Sequence, residues 1–274
     1  MERKLRLVVT SLFSVFVIVA GLLIYDICRN GIPFVTSKFL LSEVIDSGRS
    51  GGIAPIMVST FWLLTLTCSL LLGIGIPAGL YLADIRIRNR ARVKAMRISL
   101  ELLAGTPSIV FGLFGNLLFT KWMGLGFSIL SGALTLTVMC LPFFIRTFEE
   151  GLSALPKELW VSAQALSISY FQFTKAILVR TSLPVLISAL ILAIGRALAE
   201  TAALVYTSGY VSRMPSSIGD SGRALSVHIF DLSMNISGGD HNAYASATIL
   251  LLAIFSINIF ARTFLRWWQG RFQV

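Results

Sequence analysis

The strongest constraint on this chain is a series of long apolar runs, each closed off by charge. Leu7 to Tyr25 lies between Arg6 and Asp26 with no charged residue inside it. A helix rises about 1.5 Å per residue, so about 20 apolar residues cross a hydrocarbon layer about 30 Å thick. The same reading places further spans at 55–83, 102–120, 122–145, 183–206 and 243–261. The expected fold is therefore all-α, with six transmembrane helices in a single membrane domain over 1–274. Composition agrees: 55% of residues are hydrophobic and 13% charged, against about 25% charged in soluble domains. Too few charges remain to cover a water-facing surface, which excludes a soluble enzyme.

The formal charge of +10 does not indicate nucleic acid, because the Lys and Arg fall in the gaps between apolar runs. With the N-terminus inside, the inner segments collect Arg3, Lys4 and Arg6, the run Arg86 to Arg97, then Arg146, Lys157, Lys175 and Arg180, and finally Arg262, Arg266 and Arg271. The outer segments hold Arg29, Lys38, Arg49, Lys121, Arg213 and Arg223. That excess follows the positive-inside rule and places both termini in the cytoplasm, in a multi-pass protein of the inner (cytoplasmic) membrane. The first span reads as a retained anchor, being longer than a signal-peptide core and lacking a small-x-small cleavage site after it. Cys28, Cys68 and Cys140 form no CxxC pair and read as small buried hydrophobes. His228 and His241 are too far apart and too poorly supported for a metal site, so no metal or cofactor is expected.

Three connections exceed a short turn. Asp26 to Ala54 ends in Ser47-Gly48-Arg49-Ser50-Gly51-Gly52, and Thr207 to Asn242 is rich in Gly and expected to be irregular. Both lie outside, as tethers or as a surface for an external partner. The cytoplasmic loop, 149–182, reads as two short amphipathic helices: one opening at Lys157-Glu158 after Pro156, the other from Tyr170 to Arg180. Such a pair either lies under the membrane held by lipid or inserts as a ridge into a cytoplasmic partner.

Arg196 is the exceptional residue. Counted from Ser182, it lies about 21 Å along the fifth helix, near or past the bilayer midplane. A charge at helix centre costs roughly 2.5–3.5 kcal/mol on insertion scales. Glu200 is four residues on, so on a continuous helix the two share a face and neutralise one another. The pair is either a structural lock or part of a path for an anion, since the guanidinium fork suits carboxylate or phosphate oxygens. Arg146 and Glu149 repeat the pairing three residues apart near the inner mouth. Pro77, Pro107 and Pro142 interrupt three spans, most strongly at Gly105-Thr106-Pro107-Ser108, and are expected to face the interior. There is no phosphate-binding Gly-Lys-Ser/Thr loop, no Gly-x-Ser-x-Gly elbow and no HExxH. The chain is thus expected to be non-catalytic, with any energy supplied by a partner or a gradient.

Several segments together resemble a family. These are Gly51-Gly52-Ile53-Ala54-Pro55, Ile76-Pro77-Ala78-Gly79-Leu80-Tyr81-Leu82, Leu103 to Gly115 with its Pro107-Ser108-Ile109-Val110, Leu141 to Glu150, Arg196 to Ala202, and Arg223 to Phe230. In that order they resemble the permease subunits of bacterial phosphate-specific ABC importers, the PstA type. The resemblance implies the type I importer permease architecture and a path for inorganic phosphate lined by Arg146, Glu149, Arg196 and Glu200. It implies that Ala163, Gln164, Ala165, Leu166, Ser167 and Ile168 belong to the loop that couples to an ATPase. It also implies the partners: a second homologous permease subunit, two cytoplasmic ATPase subunits, a periplasmic phosphate-binding protein and membrane lipid, with no nucleic acid. Where the family usually has Glu-Ala-Ala, three residues, then Gly, this chain has Val161-Ser162-Ala163 and Ser167. Ala199 stands where the family commonly has Gly. Another oxyanion such as sulfate or molybdate is the nearest alternative cargo. A membrane hydrolase using Glu149 or Glu200, and a structural subunit without a transport role, are the rivals from other classes.

Overall fold

A computed structural model describes residues 2–83, 90–154, 156–169, 172–173 and 182–272. Arg86, Arg88 and most of the second loop helix expected over Tyr170–Arg180 lie outside the described residues. The helices, in order, are α1 (Glu2–Gly31), α2 (Ser37–Leu41), α3 (Ala54–Ala83), α4 (Arg90–Ala104), α5 (Ser108–Gly115), α6 (Ile129–Ser153), α7 (Lys157–Ala165), α8 (Leu183–Ala199), α9 (Ala202–Val205), α10 (Leu225–Met234) and α11 (Asp240–Phe272). A two-strand antiparallel ribbon, Val44–Ile45 with Ser50–Gly51, closes the first outer loop.

Among the described residues four helices are each long and apolar enough to cross a membrane: Val9–Phe34, Ala54–Ala83, Ile129–Ser153 and Asp240–Arg271. The expected third span does not run straight from 102 to 120. Ala91–Ala104 and Ser108–Trp122 meet at a bend of 97°, with Pro107 extended at the break (ψ 140°). Proline disfavours a helical residue before it and donates no N–H, so the bend falls at the Gly105-Thr106-Pro107 cluster. The expected fourth span begins at Ile129, not Trp122. Gly124 and Gly126 have positive φ, and the Ser128 side chain caps the new helix by accepting from the Ser131 N–H. The expected fifth span is divided into α8 and α9. The last outer connection, expected to be irregular, contains the ten-residue helix α10.

Helix α6 is the centre of the core, packed against α3, α8 and α4. Phe144 and Phe148 are completely buried and lie over Gly75 and Gly79 of α3. A Cβ at either glycine would come within 2.4 or 2.5 Å of a phenylalanine ring. The small residues on α3 thus receive large ones from α6, one helical turn apart on both sides. Helix α1 stands apart from this core and packs chiefly along α11. Its outward residues, such as Leu12 and Phe13, are exposed, as suits a lipid-facing helix. Of the three span prolines only Pro142 is buried; Pro77 and Pro107 are exposed on the single chain.

Candidate functional site

The chain leaves the helix where the sequence pattern expects an ion pair. Helix α8 ends at Ala199, and Glu200 has extended backbone (φ −78°, ψ 124°). The Glu200 carboxylate turns forward, accepting the Ala203 N–H of α9 at 3.1 Å. Its carbonyl accepts the Ser226 hydroxyl of α10 at 2.6 Å. A side chain that satisfies the open N–H groups of a new helix competes with continuation of the old one. Glu200 still closes the last turn of α8, its N–H donating to the Ala197 carbonyl at 3.3 Å, so the two residues remain one turn apart. The expected pair is not formed because the Glu200 carboxylate is drawn forward to α9. Among the described residues the Arg196 side chain has no ion-pair or hydrogen-bond partner, and the residue is half-buried. Cys140 Sγ of α6 lies 3.8 Å from the Ala193 carbonyl, which places the last turns of α8 beside that helix.

Six residues below Cys140, about 9 Å of helix rise, α6 carries a second charged group. Arg146 Nη1 lies 2.8 Å from Glu149, so this expected pair is formed. Arg146 Nη2 also lies 3.1 Å from Glu101 of α4 and 3.2 Å from Glu150. Glu149 is 2% exposed and has a second partner, Arg97 of α4. Arg97 also donates to the Leu82 carbonyl at 3.4 Å. Two guanidinium groups thus face three carboxylates, leaving one net negative charge. The three-residue spacing points to Arg146 and Glu149 but not to their α4 partners Arg97 and Glu101. The signal available was their spacing: four residues apart on one face of a helix that precedes the Pro107 bend.

In the segment expected to couple to an ATPase, the first short helix forms where Pro156 and Lys157-Glu158 predict it. Pro156 precedes α7, which ends at Ala165. Leu166 N–H then donates to the Ser162 carbonyl and Ile168 N–H to the Ala163 carbonyl, both at 3.0 Å. That second bond, with Ser167 at φ +55°, is a helix-terminating turn of the Schellman kind. It demands a left-handed residue at position 167, where glycine is the unstrained choice. Ala163 is buried, whereas Ala165, Leu166, Ser167 and Ile168 are exposed. The side chain of Gln164 lies outside the described part of the structure.

The connections expected to lie outside contain a cluster that charge counting alone did not reveal. Arg223 is buried, with Nη1 3.1 Å from Asp231 and Nε donating to the Tyr210 carbonyl at 2.9 Å. Nη1 also reaches the Ser47 carbonyl at 3.4 Å and His228 Nδ1 at 3.4 Å. An arginine can only donate, so His228 Nδ1 accepts and its proton sits on Nε2, which is buried without a partner. Burial, and then the Arg223 charge, push the His228 pKa down to about 4. The guanidinium therefore ties the connection before α3 to the one before α10.

Taken together, these helices define a membrane protein of several spans with one charged group at a broken helix and another at one end of its central helix. Residues 75–274 match the family described as the binding-protein-dependent transport system inner membrane component, and the chain belongs to that family. It is 30% identical over 260 residues to the probable ABC transporter permease protein YqgI of Bacillus subtilis (strain 168), a match covering 89% of this chain and 88% of that one. It is 27% identical over 245 residues to the phosphate transport system permease protein PstA of Pasteurella multocida (strain Pm70), covering 88% and 86%. Its fold is similar to a chain of the inward-facing MetNI methionine ABC transporter, with a TM-score of 0.61, 17% identity, and 78% and 96% coverage. The chain is an inner-membrane permease subunit of an ABC importer.

Proposed function

We propose that this permease passes inorganic phosphate, and that Arg196 is the group the anion meets inside the membrane. The observation that carries the reading is the absence of a carboxylate partner for Arg196 among the described residues, since Glu200 is engaged by α9. An arginine stays protonated and offers a planar fork that matches phosphate oxygens. Glu200, close by but turned away, limits how tightly an anion is held, which a transport path requires if the cargo is to leave. At the inner end the charge balance is reversed. Arg146 is occupied by three carboxylates, so the group repels an anion until α4 and α6 move apart. The names of relatives such as the Pasteurella PstA favour phosphate over other oxyanions.

The remaining parts of the machine follow from that reading. A second permease completes the pore, a periplasmic phosphate-binding protein delivers the anion, and two ATPase subunits seat on the segment 163–168. Their closure would push α7 and, through the continuous α6, the Arg146 group. The deciding experiment is phosphate uptake by a deletion strain carrying Arg196→Gln, with membrane abundance measured in parallel. Loss of uptake at unchanged abundance is expected. Normal uptake at normal abundance removes Arg196 from the path.

A further inference from the structure

We infer that the groove between α3, α4 and α6 binds the acyl chain of an anionic phospholipid whose headgroup lies against the basic α4. The groove encloses about 420 Å³ and is lined by Ala78, Tyr81 and Leu82 of α3, Met96 and Ser99 of α4, and Ile145 of α6, among others. Its walls are hydrocarbon. The Ser99 hydroxyl, one of its few polar groups, donates back to the Ala95 carbonyl at 3.0 Å, so it offers little to a hydrated solute. Pockets for polar small molecules place several convergent donors and acceptors; this one does not. Inside a bilayer such a surface is filled by hydrocarbon, either lipid or protein.

Charge selects between them. Arg86, Arg88, Arg90, Arg92 and Lys94 follow the α3 span with Asp84 as the single acid among them, while Arg97 beyond them is taken by Glu149. A cluster of four to eight basic residues directly after a span, or on an amphipathic helix, is the pattern that attracts anionic headgroups. On α4, Arg92 lies three, four and seven residues before Ala95, Met96 and Ser99, so it sits on the groove-facing stripe one turn beyond its end. Tyr81, 44% exposed at the groove, supplies the amphipathic ring common where hydrocarbon meets headgroups. The 97° bend after α4 is what sets this basic helix across the direction of α5, and so along the membrane surface when α5 enters it. An apolar slot that opens beside a basic helix matches the two halves of one amphiphile.

The inference does not depend on which anion is transported. It is tested with the full chain in nanodiscs containing equal phosphatidylglycerol and phosphatidylcholine. A photo-crosslinking residue replaces Met96, 48% exposed in the groove, or Phe13, 67% exposed on α1, as a bulk-lipid control. Intact-mass analysis then reads which lipid is captured. Position 96 is expected to favour phosphatidylglycerol about fivefold for each basic residue engaged, while position 13 captures the two in their bulk ratio. Arg92→Gln with Lys94→Gln should bring the ratio at 96 toward that at 13, and excess inorganic phosphate should leave it unchanged. Equal capture of both lipids at 96, a preference that survives the double substitution, competition by inorganic phosphate, or adducts to a co-expressed second permease instead of lipid would each overturn the inference.

Discussion

Arg196 and Glu200 are four residues apart in sequence and are not partners, because the Glu200 carboxylate is taken by the Ala203 N–H of α9, just beyond the helix end. The two side chains are thereby free to act separately. Glu200 caps α9 through the Ala203 N–H, and Arg196 keeps its guanidinium unengaged among the described residues. Replacing the cap should cost stability. Glu200→Ala is expected to lower unfolding stability by about 1 kcal/mol, the usual loss when an acceptor is removed from a helix start. Glu200→Gln retains an acceptor oxygen and should cost much less, yet alter uptake by removing the charge near Arg196. Thermal unfolding of the purified variants and uptake at matched abundance separate these two effects.

Glu149 is the most deeply set charge of the inner group. Glu149→Gln leaves Arg97 and Arg146 facing each other across a neutral amide. Breaking a fully buried pair costs about 3–5 kcal/mol; here both arginines are partly wet, so a loss of roughly 2 kcal/mol is expected. Glu150→Gln, at an exposed carboxylate, should cost less than about 0.5 kcal/mol. Equal effects of the two substitutions on the unfolding midpoint would show that burial is not what gives Glu149 its weight.

Ser167 occupies a left-handed position (φ +55°) that glycine adopts without strain. Ser167→Gly is expected to stabilise the end of α7 by roughly 1 kcal/mol. Slower amide exchange at Leu166 and Ile168, whose N–H groups close the turn, is the readout. Ser167→Val, β-branched at the same position, should do the opposite.

The buried His228 makes stability depend on pH. Its pKa is about 4 in the folded chain and about 6.5 when unfolded. Between those values the unfolded chain binds a proton that the folded chain does not, so stability falls as pH drops from about 6.5 toward 4 and is constant above that window. The full span corresponds to roughly 3 kcal/mol. His228→Gln should flatten unfolding midpoints measured across this pH range; a slope equal to that of the parent chain would assign the effect to other groups.

Much of the architecture is legible in the residues alone. The long apolar helices follow from charge-free runs, the break at Pro107 from a Gly-Thr-Pro-Ser cluster, and the start of α7 from Pro156 with Lys157-Glu158. The Arg146–Glu149 pair is equally legible, since three residues on an unbroken helix bring side chains together. The Arg196–Glu200 pair is misread because the rule places two side chains on one face and does not say what else competes for the carboxylate; here the Ala203 N–H of the next helix takes it. Nothing local to Glu200 announces that Ser226, far along the chain, will take its carbonyl.

What this sequence determined by itself is the solvent in which it folds and the set of helices it can make, because apolar length and proline placement act within a few residues. What only the tertiary structure decided is which charges meet. Arg97 finds Glu149 across the α4–α6 contact, and Arg223 finds Asp231 while tying Ser47 to Tyr210 across the two outer loops. A charge in a poorly solvated setting must be neutralised by whatever the packed helices bring near it, and that neighbour is fixed by packing rather than by distance along the chain.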